Sequence, residues 1–244
     1  MIDLHTHILW GLDDGARSVD ESLGMARAAL ADGIETVAAT PHVRDDFPTA
    51  AAEMEARVAE LRAALDDAGL ALEVRPGGEL ALDRLLRLEG DELRKFGLAG
   101  NPDFLLLEFP YSGWPLGLAD QVFMLSRGGT TPVLAHPERN PEVQRDPEKL
   151  RPLVDAGALV QVTAASVEGH LGKKPKAAGV ALIQLGLAHM LASDAHAPEV
   201  RAIGLSGAAK AVGGGALAEW LTHGVPQAIV SRSALPARPP AAPA

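Results

Sequence analysis

Seven short runs of apolar and β-branched residues recur along the chain, each followed by a stretch with helical periodicity, and this alternation constrains the fold more than any other feature. The runs lie at 2–7, 34–40, 71–76, 104–109, 131–136, 158–163 and 187–193. The helical stretches lie at 19–31, 50–68, 82–96, 116–127, 147–156, 175–185 and 199–212. Strands that alternate with helices build a parallel sheet covered by those helices. The helix ends carry local signals. Ser18-Val19-Asp20-Glu21 has the pattern of a capping box, and Gly33, Gly69, Gly157 and Gly186 stand where left-handed C-terminal caps are expected, each just before a strand. A length of 244 residues, with no compositional break and no longer repeat, suits one α/β domain over 1–230. Residues 231–244, rich in Pro and Ala, are expected to form a frayed tail.

The ends of these strands are unusual in their chemistry. His5 and His7 close the first run, His42 closes the second, Glu79 follows the third, Glu108 and His136 close the fourth and fifth, and Asp194 and His196 follow the seventh. Side chains alternate along a strand, so His5 and His7 project from one face. In parallel β/α folds the C-terminal ends of the strands converge, which makes these distant residues neighbours. Only His170, His189 and His223 of the eight histidines lie away from strand ends, so the concentration points to a metal site. Asp14, in the turn Asp13-Asp14-Gly15 after the first strand, adds a further carboxylate.

Residue usage then narrows the chemistry. The chain has no cysteine, which removes disulfides, thiolate metal sites and cysteine nucleophiles. Imidazole and carboxylate ligands suit Mn²⁺, Zn²⁺, Fe²⁺ or Mg²⁺, and nine candidate ligands exceed the needs of one ion, so two or three bridged ions and a hydrolytic reaction are expected. Arg139 and Arg201, close after His136 and His196, are the candidate phosphate-binding residues because a guanidinium offers a planar fork to phosphate oxygens. Lys and Arg number 22 against 32 Asp and Glu, a net charge of −10 that opposes a broad nucleic-acid surface. The opening Met1-Ile2-Asp3-Leu4-His5 lacks the regions of a signal peptide, and no apolar run is long enough for a bilayer, so the sequence reads as cytoplasmic and without membrane insertion.

His5-Thr6-His7, Asp14-Gly15, Thr40-Pro41-His42, Gly78-Glu79, Glu108-Phe109, Ala135-His136-Pro137-Glu138-Arg139 and Ala192-Ser193-Asp194-Ala195-His196 together resemble the polymerase and histidinol phosphatase (PHP) superfamily over almost the whole chain. The opening segment and Leu12-Asp13-Asp14-Gly15-Ala16 resemble its bacterial manganese-dependent protein-tyrosine phosphatases linked to capsule and exopolysaccharide synthesis. The resemblance implies a single-domain distorted (β/α)7 TIM-like barrel with three metals, Mn²⁺ foremost. It implies that His5, His7, Glu79 and Asp194 hold one ion, Glu79, Glu108 and His136 a second, and Asp14, His42 and His196 a third. It further implies direct attack on phosphorus by a metal-bridged hydroxide, phosphate binding by Arg139 and Arg201, a tyrosine-phosphorylated kinase tail as substrate, and a homo-oligomer formed through the early helices. Phe47, Tyr111 and Trp114 are the aromatic candidates for the substrate rim. The alternatives are a small-molecule PHP phosphatase such as histidinol phosphatase and a catalytically silent scaffold. Gly213-Gly214-Gly215 reads as a flexible loop rather than a dinucleotide site, and Lys173-Lys174-Pro175-Lys176 as a solvated helix entrance.

Overall fold

In the computed structural model, which describes residues 1–88, 90–197 and 200–240, every expected strand position carries parallel strand structure. The strands are β1 (Ile2–Thr6), β2 (Thr36–Ala39), β3 (His42–Val43), β4 (Glu73–Pro76), β5 (Glu79–Ala81), β6 (Phe104–Glu108), β7 (Thr131–Ala135), β8 (Leu159–Thr163) and β9 (Met190–Ala192). They form two parallel sheets, ordered β1-β2-β4 and β3-β5-β6-β7-β8-β9. The second and third expected strands are each followed, after a short break, by a further strand that the sequence reading did not mark, β3 and β5, and the breaks have local causes. Pro41 lacks a backbone N–H, and Gly77-Gly78 form a turn so close to a helix that a Cβ on Gly78 would lie 2.6 Å from the Phe96 ring. Backbone bonds cross both breaks, from Thr40 N to Thr6 O at 2.8 Å and from Glu79 N to Pro41 O at 3.0 Å. The far side of β1 bonds to the chain just after β9, through His7 N to Ala195 O and Asp194 N to His5 O, both 2.8 Å.

The central strands are apolar without alternation because both faces are covered. Leu105, Leu106, Leu107, Val133, Leu134, Val160 and Val162 are all buried, each contributing roughly 1.5–3 kcal/mol relative to exposure. The helix Ala51–Asp67 shows the matching pattern, with Met54, Val58, Leu61 and Leu65 buried at three- and four-residue spacing. Helix Val19–Ala31 begins at Ser18, whose side chain accepts from Glu21 N, as the capping box requires, while the Glu21 carboxylate turns to Arg17. Gly33, Gly69, Gly157 and Gly186 all adopt the expected positive φ.

Other helices are shorter than the periodicity predicts. Residues 82–96 divide into a 3-10 turn Leu82–Leu86 and a helix Gly90–Lys95, and 199–212 reduces to Ser206–Ala211, with residue 199 outside the described residues. The sequence reading also misses a C-terminal helical block, Gly215–Glu219, the π-helical turn Trp220–Gly224 and Val225–Ser231, which buries Trp220, Leu221, Val225 and Ile229. Gly213, Gly214 and Gly215 all have positive φ, so the triglycine is a sharp entry into that block.

The tail expected to fray is held against the body as far as residue 238. Trp220 Nε1 donates to Pro236 O at 2.9 Å, and Arg238 donates to Ile183 O at 2.6 Å while covering the Trp220 ring at 5.6 Å. Composition cannot distinguish this extended, anchored chain from a frayed one, because both are Pro-rich; residues 241–244 lie outside the described residues. Arg238 also sets the charge state of a neighbour: burial first, and then this guanidinium, push His189 down to about 4. The fold thus keeps His189 neutral where the unfolded chain takes up a proton, so stability is full above about pH 6.5 and declines as pH falls toward 4. At about pH 5 the expected loss is roughly 2 kcal/mol. Urea unfolding of the wild type and of H189N at pH 5 and pH 7 checks it; an equal pH response in both chains would sink it.

Candidate metal centre

The nine residues expected to bind metal all lie at the C-terminal ends of the parallel strands or in the loops that follow, and nearly all are buried. His5, His7, Glu79, His136 and Asp194 are at most 1% exposed, and His42, His196 and Glu108 remain below 10%; Asp14 alone is open to solvent. Their ligand atoms form four overlapping groups in which all atoms lie within 4.8 Å of one another: His7, Asp14, His42 and His196; His5, Glu79 and His136; His5, His7 and Asp194; and His42, Glu79 and Glu108. Glu79 spans two of these. Its Oε1 lies 2.8 Å from His136 Nε2, while Oε2 lies 3.3 Å from His5 Nε2, 3.5 Å from His7 Nε2 and 3.0 Å from His42 Nδ1. The sets implied by resemblance are reproduced only in part: His5, His7 and Asp194 group without Glu79, and His7 joins Asp14, His42 and His196. Glu108 clusters with His42 and Glu79, and His136 with His5 and Glu79, so the trio Glu79, Glu108 and His136 is divided over two groups that share Glu79.

Three observations fit this cluster to divalent cations. His5 Nδ1 is paired with Gln161 Oε1 at 3.0 Å and His7 Nδ1 with Asp13 Oδ2 at 2.7 Å, so each ring, once it gives up its second proton to a metal, directs the lone pair of its Nε2 inward. Those two Nε2 atoms are only 3.2 Å apart, close to the roughly 3.4 Å separation of two ligands on one tetrahedral ion with bonds of about 2.1 Å. Finally, His136 Nδ1 is buried without a hydrogen-bond partner, and Glu79 Oε2 and His42 Nδ1, although 3.0 Å apart, do not meet in hydrogen-bond geometry, a costly condition that coordination would relieve for the atoms facing an ion.

The electrostatics agree. Burial opposes charge on His7, yet Asp13, Asp194 and Glu79 outweigh it and hold the ring well above its ordinary range. Burial likewise opposes charge on Asp194 and Glu79, and the surrounding imidazoles keep both carboxyls well below theirs. Glu108 is pushed up, first by burial and then by the Glu79 carboxylate. A site that draws positive charge onto an imidazole and crowds carboxylates together is suited to a divalent cation, which displaces ring protons on binding.

Several supporting residues escape a reading by strand ends. Asp13 holds His7, accepts from His42 N at 2.8 Å through the same Oδ2, and accepts from Gly15 N at 2.9 Å through Oδ1, so it orients two histidines while Asp14 beside it faces His42 and His196. Gln161, the one polar side chain inside the apolar run Leu159-Val160-Gln161-Val162, accepts from both His5 Nδ1 and His136 N; that isolated polarity was its only sequence signal. Glu138, pushed up to about 7 by burial, accepts from Thr163 N and Ser166 Oγ and ties the turn bearing His136 and Arg139 to the end of β8. His136 and Asp194 adopt positive φ, 39° and 51°, a strained conformation for residues with a Cβ that is maintained at two of the proposed ligands.

Both predicted arginines reach the centre. Arg139 donates to Asp194 Oδ2 at 2.8 Å, and Arg201 lies 2.8 Å from Asp194 Oδ1 and bonds the Asp194 carbonyl. A third, Arg44, donates to Glu108 Oε1 at 2.7 Å. Of the aromatic candidates, Phe47 stacks on His42 with centroids 5.9 Å apart and Tyr111 on His136 at 5.4 Å, whereas Trp114 packs against Phe109. Asn140 Nδ2 donates to Pro110 O and Gly113 O, which fixes the loop carrying Tyr111.

Comparison with known proteins agrees with this architecture. A family model described as "Capsular polysaccharide synthesis, CpsB/CapC" matches residues 1–220. The tyrosine-protein phosphatase YwqE of Bacillus subtilis is 38% identical over 204 residues, covering 82% of this chain and 79% of its own. The tyrosine-protein phosphatase CpsB of Streptococcus pneumoniae is 29% identical over 208 residues, covering 80% and 83%. A crystal structure described among those of YwqE and CpsB, "unique metal-dependent tyrosine phosphatases", superposes with a TM-score of 0.88 at 32% identity over 98% of each chain.

Proposed function

The chain belongs to the CpsB/CapC capsular polysaccharide synthesis family, and from that premise we propose that it is a metal-dependent protein-tyrosine phosphatase whose centre is the His, Asp and Glu cluster at the strand ends. The observation that carries the reading is the convergence of nine N and O ligand candidates, with Glu79 shared between groups and Arg139 and Arg201 both leaning on Asp194. In this reading His5, His7, Glu79 and Asp194 hold one ion, Glu79, Glu108 and His136 a second, and Asp14, His42 and His196 a third. Mn²⁺ is the ion the resemblance favours. Divalent ions in such a site polarise phosphoryl oxygens and acidify a water.

The chain's own residues account for the rest. Arg139 and Arg201 approach Asp194 from the ends of two different strands, so their guanidinium edges would fix the phosphoryl group in one orientation. The rings of Tyr111 and Phe47, each laid on a histidine of the cluster, offer aromatic surface to a phenyl leaving group. A phenol leaves with a pKa of about 10, so departure makes little demand on a general acid, and none is assigned. Asp13, Gln161 and Glu138 act as positioning residues. The backbone bonds that join β1 to β2 on one side and to the chain after β9 on the other support a distorted (β/α)7 barrel of the PHP type as one domain over 1–230. Among the described residues no helix is long and apolar enough to cross a membrane; a cytoplasmic location belongs to the reading on the strength of the resemblance. The tail of a tyrosine kinase as substrate, and a homo-oligomer joined through the early helices, complete the reading on the strength of the resemblance.

Metal-stripped protein resupplied separately with Mn²⁺, Zn²⁺ and Mg²⁺ tests the proposal by phosphate release from a phosphotyrosine peptide and from histidinol phosphate, with H136A as control. Peptide turnover restored foremost by Mn²⁺ and lost in H136A is expected. Preference for histidinol phosphate would reassign the substrate, and release from neither would mark a silent scaffold.

A further inference from the structure

Arg44 follows β3, on the part of the rim formed by β3, β5 and β6, whereas Arg139 and Arg201 follow β7 and β9. All three share one relationship to the centre. Arg139 and Arg201 each lie 2.8 Å from an oxygen of Asp194, and Arg44 lies 2.7 Å from an oxygen of Glu108, both carboxylates being ligand candidates. Their side chains are 24%, 19% and 9% exposed for Arg44, Arg139 and Arg201, so each guanidinium is largely withdrawn from water and yet reaches the opening. The second carboxylate beside Arg44, Asp46 at 2.8 Å, is 63% exposed, whereas that of Glu108 is 9% exposed. Phe47, beneath the Arg44 guanidinium at 5.2 Å, lies on His42, which fixes the arginine's plane above the metal cluster.

A guanidinium carries five donors in a rigid fork, more than one buried and one exposed carboxylate contact use. A phosphoryl group has three peripheral oxygens, and two arginines crowded on Asp194 serve one flank of it. We propose that Arg44 is a third phosphate-binding residue of the centre, which contacts the phosphoryl group from the flank opposite Arg139 and Arg201. This rests on the phosphatase reading and adds to it a residue that strand-end motifs do not mark.

The test uses the Mn²⁺-loaded full-length protein and its R44Q and R44K variants, titrated with inorganic orthophosphate by calorimetry, with bound Mn²⁺ per chain and melting temperature measured alongside. R44Q is expected to weaken phosphate binding about 10- to 100-fold, with R44K recovering part of the loss and metal content unchanged in both. If R44Q does not fold, R44K against wild type carries the comparison, with a several-fold weakening expected. Unchanged phosphate affinity overturns the proposal, as does a loaded wild type that binds no phosphate. Loss of Mn²⁺ from the variants overturns it too, since Arg44 would then serve only to hold Glu108. A chain that binds phosphate through Arg44 yet releases none from a phosphotyrosine peptide would instead sink the phosphatase reading and leave this one standing.

Discussion

Replacing Glu79 by Gln is expected to lower phosphotyrosine turnover by about 10³-fold or more, equivalent to about 4 kcal/mol, and to reduce the metal held per chain. Glu79 is fully buried, and its two oxygens face four imidazoles: His136 through Oε1, and His5, His7 and His42 through Oε2. Those oxygens take part in two of the four ligand groups. The substitution preserves shape while exchanging one acceptor oxygen for an NH₂ group, which cannot coordinate a cation and would face nitrogen lone pairs. It also removes the negative charge that offsets bound cations in a site largely closed to water, where charges are weakly screened. Metal content by elemental analysis and the rise in melting temperature on adding Mn²⁺ are the two readouts. An ion present at 100 times its dissociation constant stabilises by about 2.7 kcal/mol, and E79Q should lose most of that increment. A variant that retains wild-type metal content and turns over within tenfold of wild type would remove Glu79 from the bridging position.

The candidate ligand positions were legible in the sequence because strand parity and the convergence of parallel strand ends are both one-dimensional rules. His5 and His7 share a face by parity alone, and Glu108, His136 and Asp194 come to one end of the fold, in groups linked through Glu79 and His5, because their strands run the same way. The supporting residues obey no such rule. Asp13 and Asp14 are adjacent carboxylates in one turn, and only the path of that turn makes one face His7 and the other His42 and His196. Arg44 is two residues past His42 in a charged loop, and its proximity to Glu108 depends on β3 pairing with β5 and β5 with β6. The breaks at Pro41 and Gly77-Gly78 had visible causes, but β3 and β5 beyond them are only two and three residues long, too short to register as apolar runs. The helical block after residue 214 was hidden for the opposite reason. Its glycines and Pro226 resemble breakers, yet Pro226 stands in the first turn of Val225–Ser231, where its missing N–H costs nothing.

The turn Asp13-Asp14-Gly15 makes Gly15→Ala a damaging substitution despite its small size. A Cβ at residue 15 would lie 2.1 Å from His7 O and 2.5 Å from His7 Cβ, and the obstacle is backbone, which cannot rotate aside. The turn has no slack elsewhere: Ala16 N donates to His7 O at 3.0 Å, Gly11 N to Ala16 O at 2.9 Å, and Gly15 N to Asp13 Oδ1 at 2.9 Å. To admit the methyl group, residues 13–16 must move away from β1, which stretches the contact between Asp13 and His7 and draws Asp14 away from His42 and His196. Overpacking of 1–3 kcal/mol together with weakened buried hydrogen bonds gives an expected loss of about 3 kcal/mol, or a fall of about 6–12 °C in Tm for a chain of this size. Displacing a carboxylate that orients a metal-binding histidine should cost a further 10- to 100-fold or so in Mn²⁺ affinity. Gly24→Ala supplies the matched control. Gly24 lies within helix Val19–Ala31, where an added Cβ meets no atom within 4 Å, so the same methyl group should there stabilise by about 0.5–1 kcal/mol. Opposite signs at residues 15 and 24, with metal affinity lost only at 15, would tie the glycine of the turn to the geometry of the centre. If G15A melts and binds Mn²⁺ as the wild type does, the turn is free to move, and Asp13 and Asp14 are not held in place by its contact with His7.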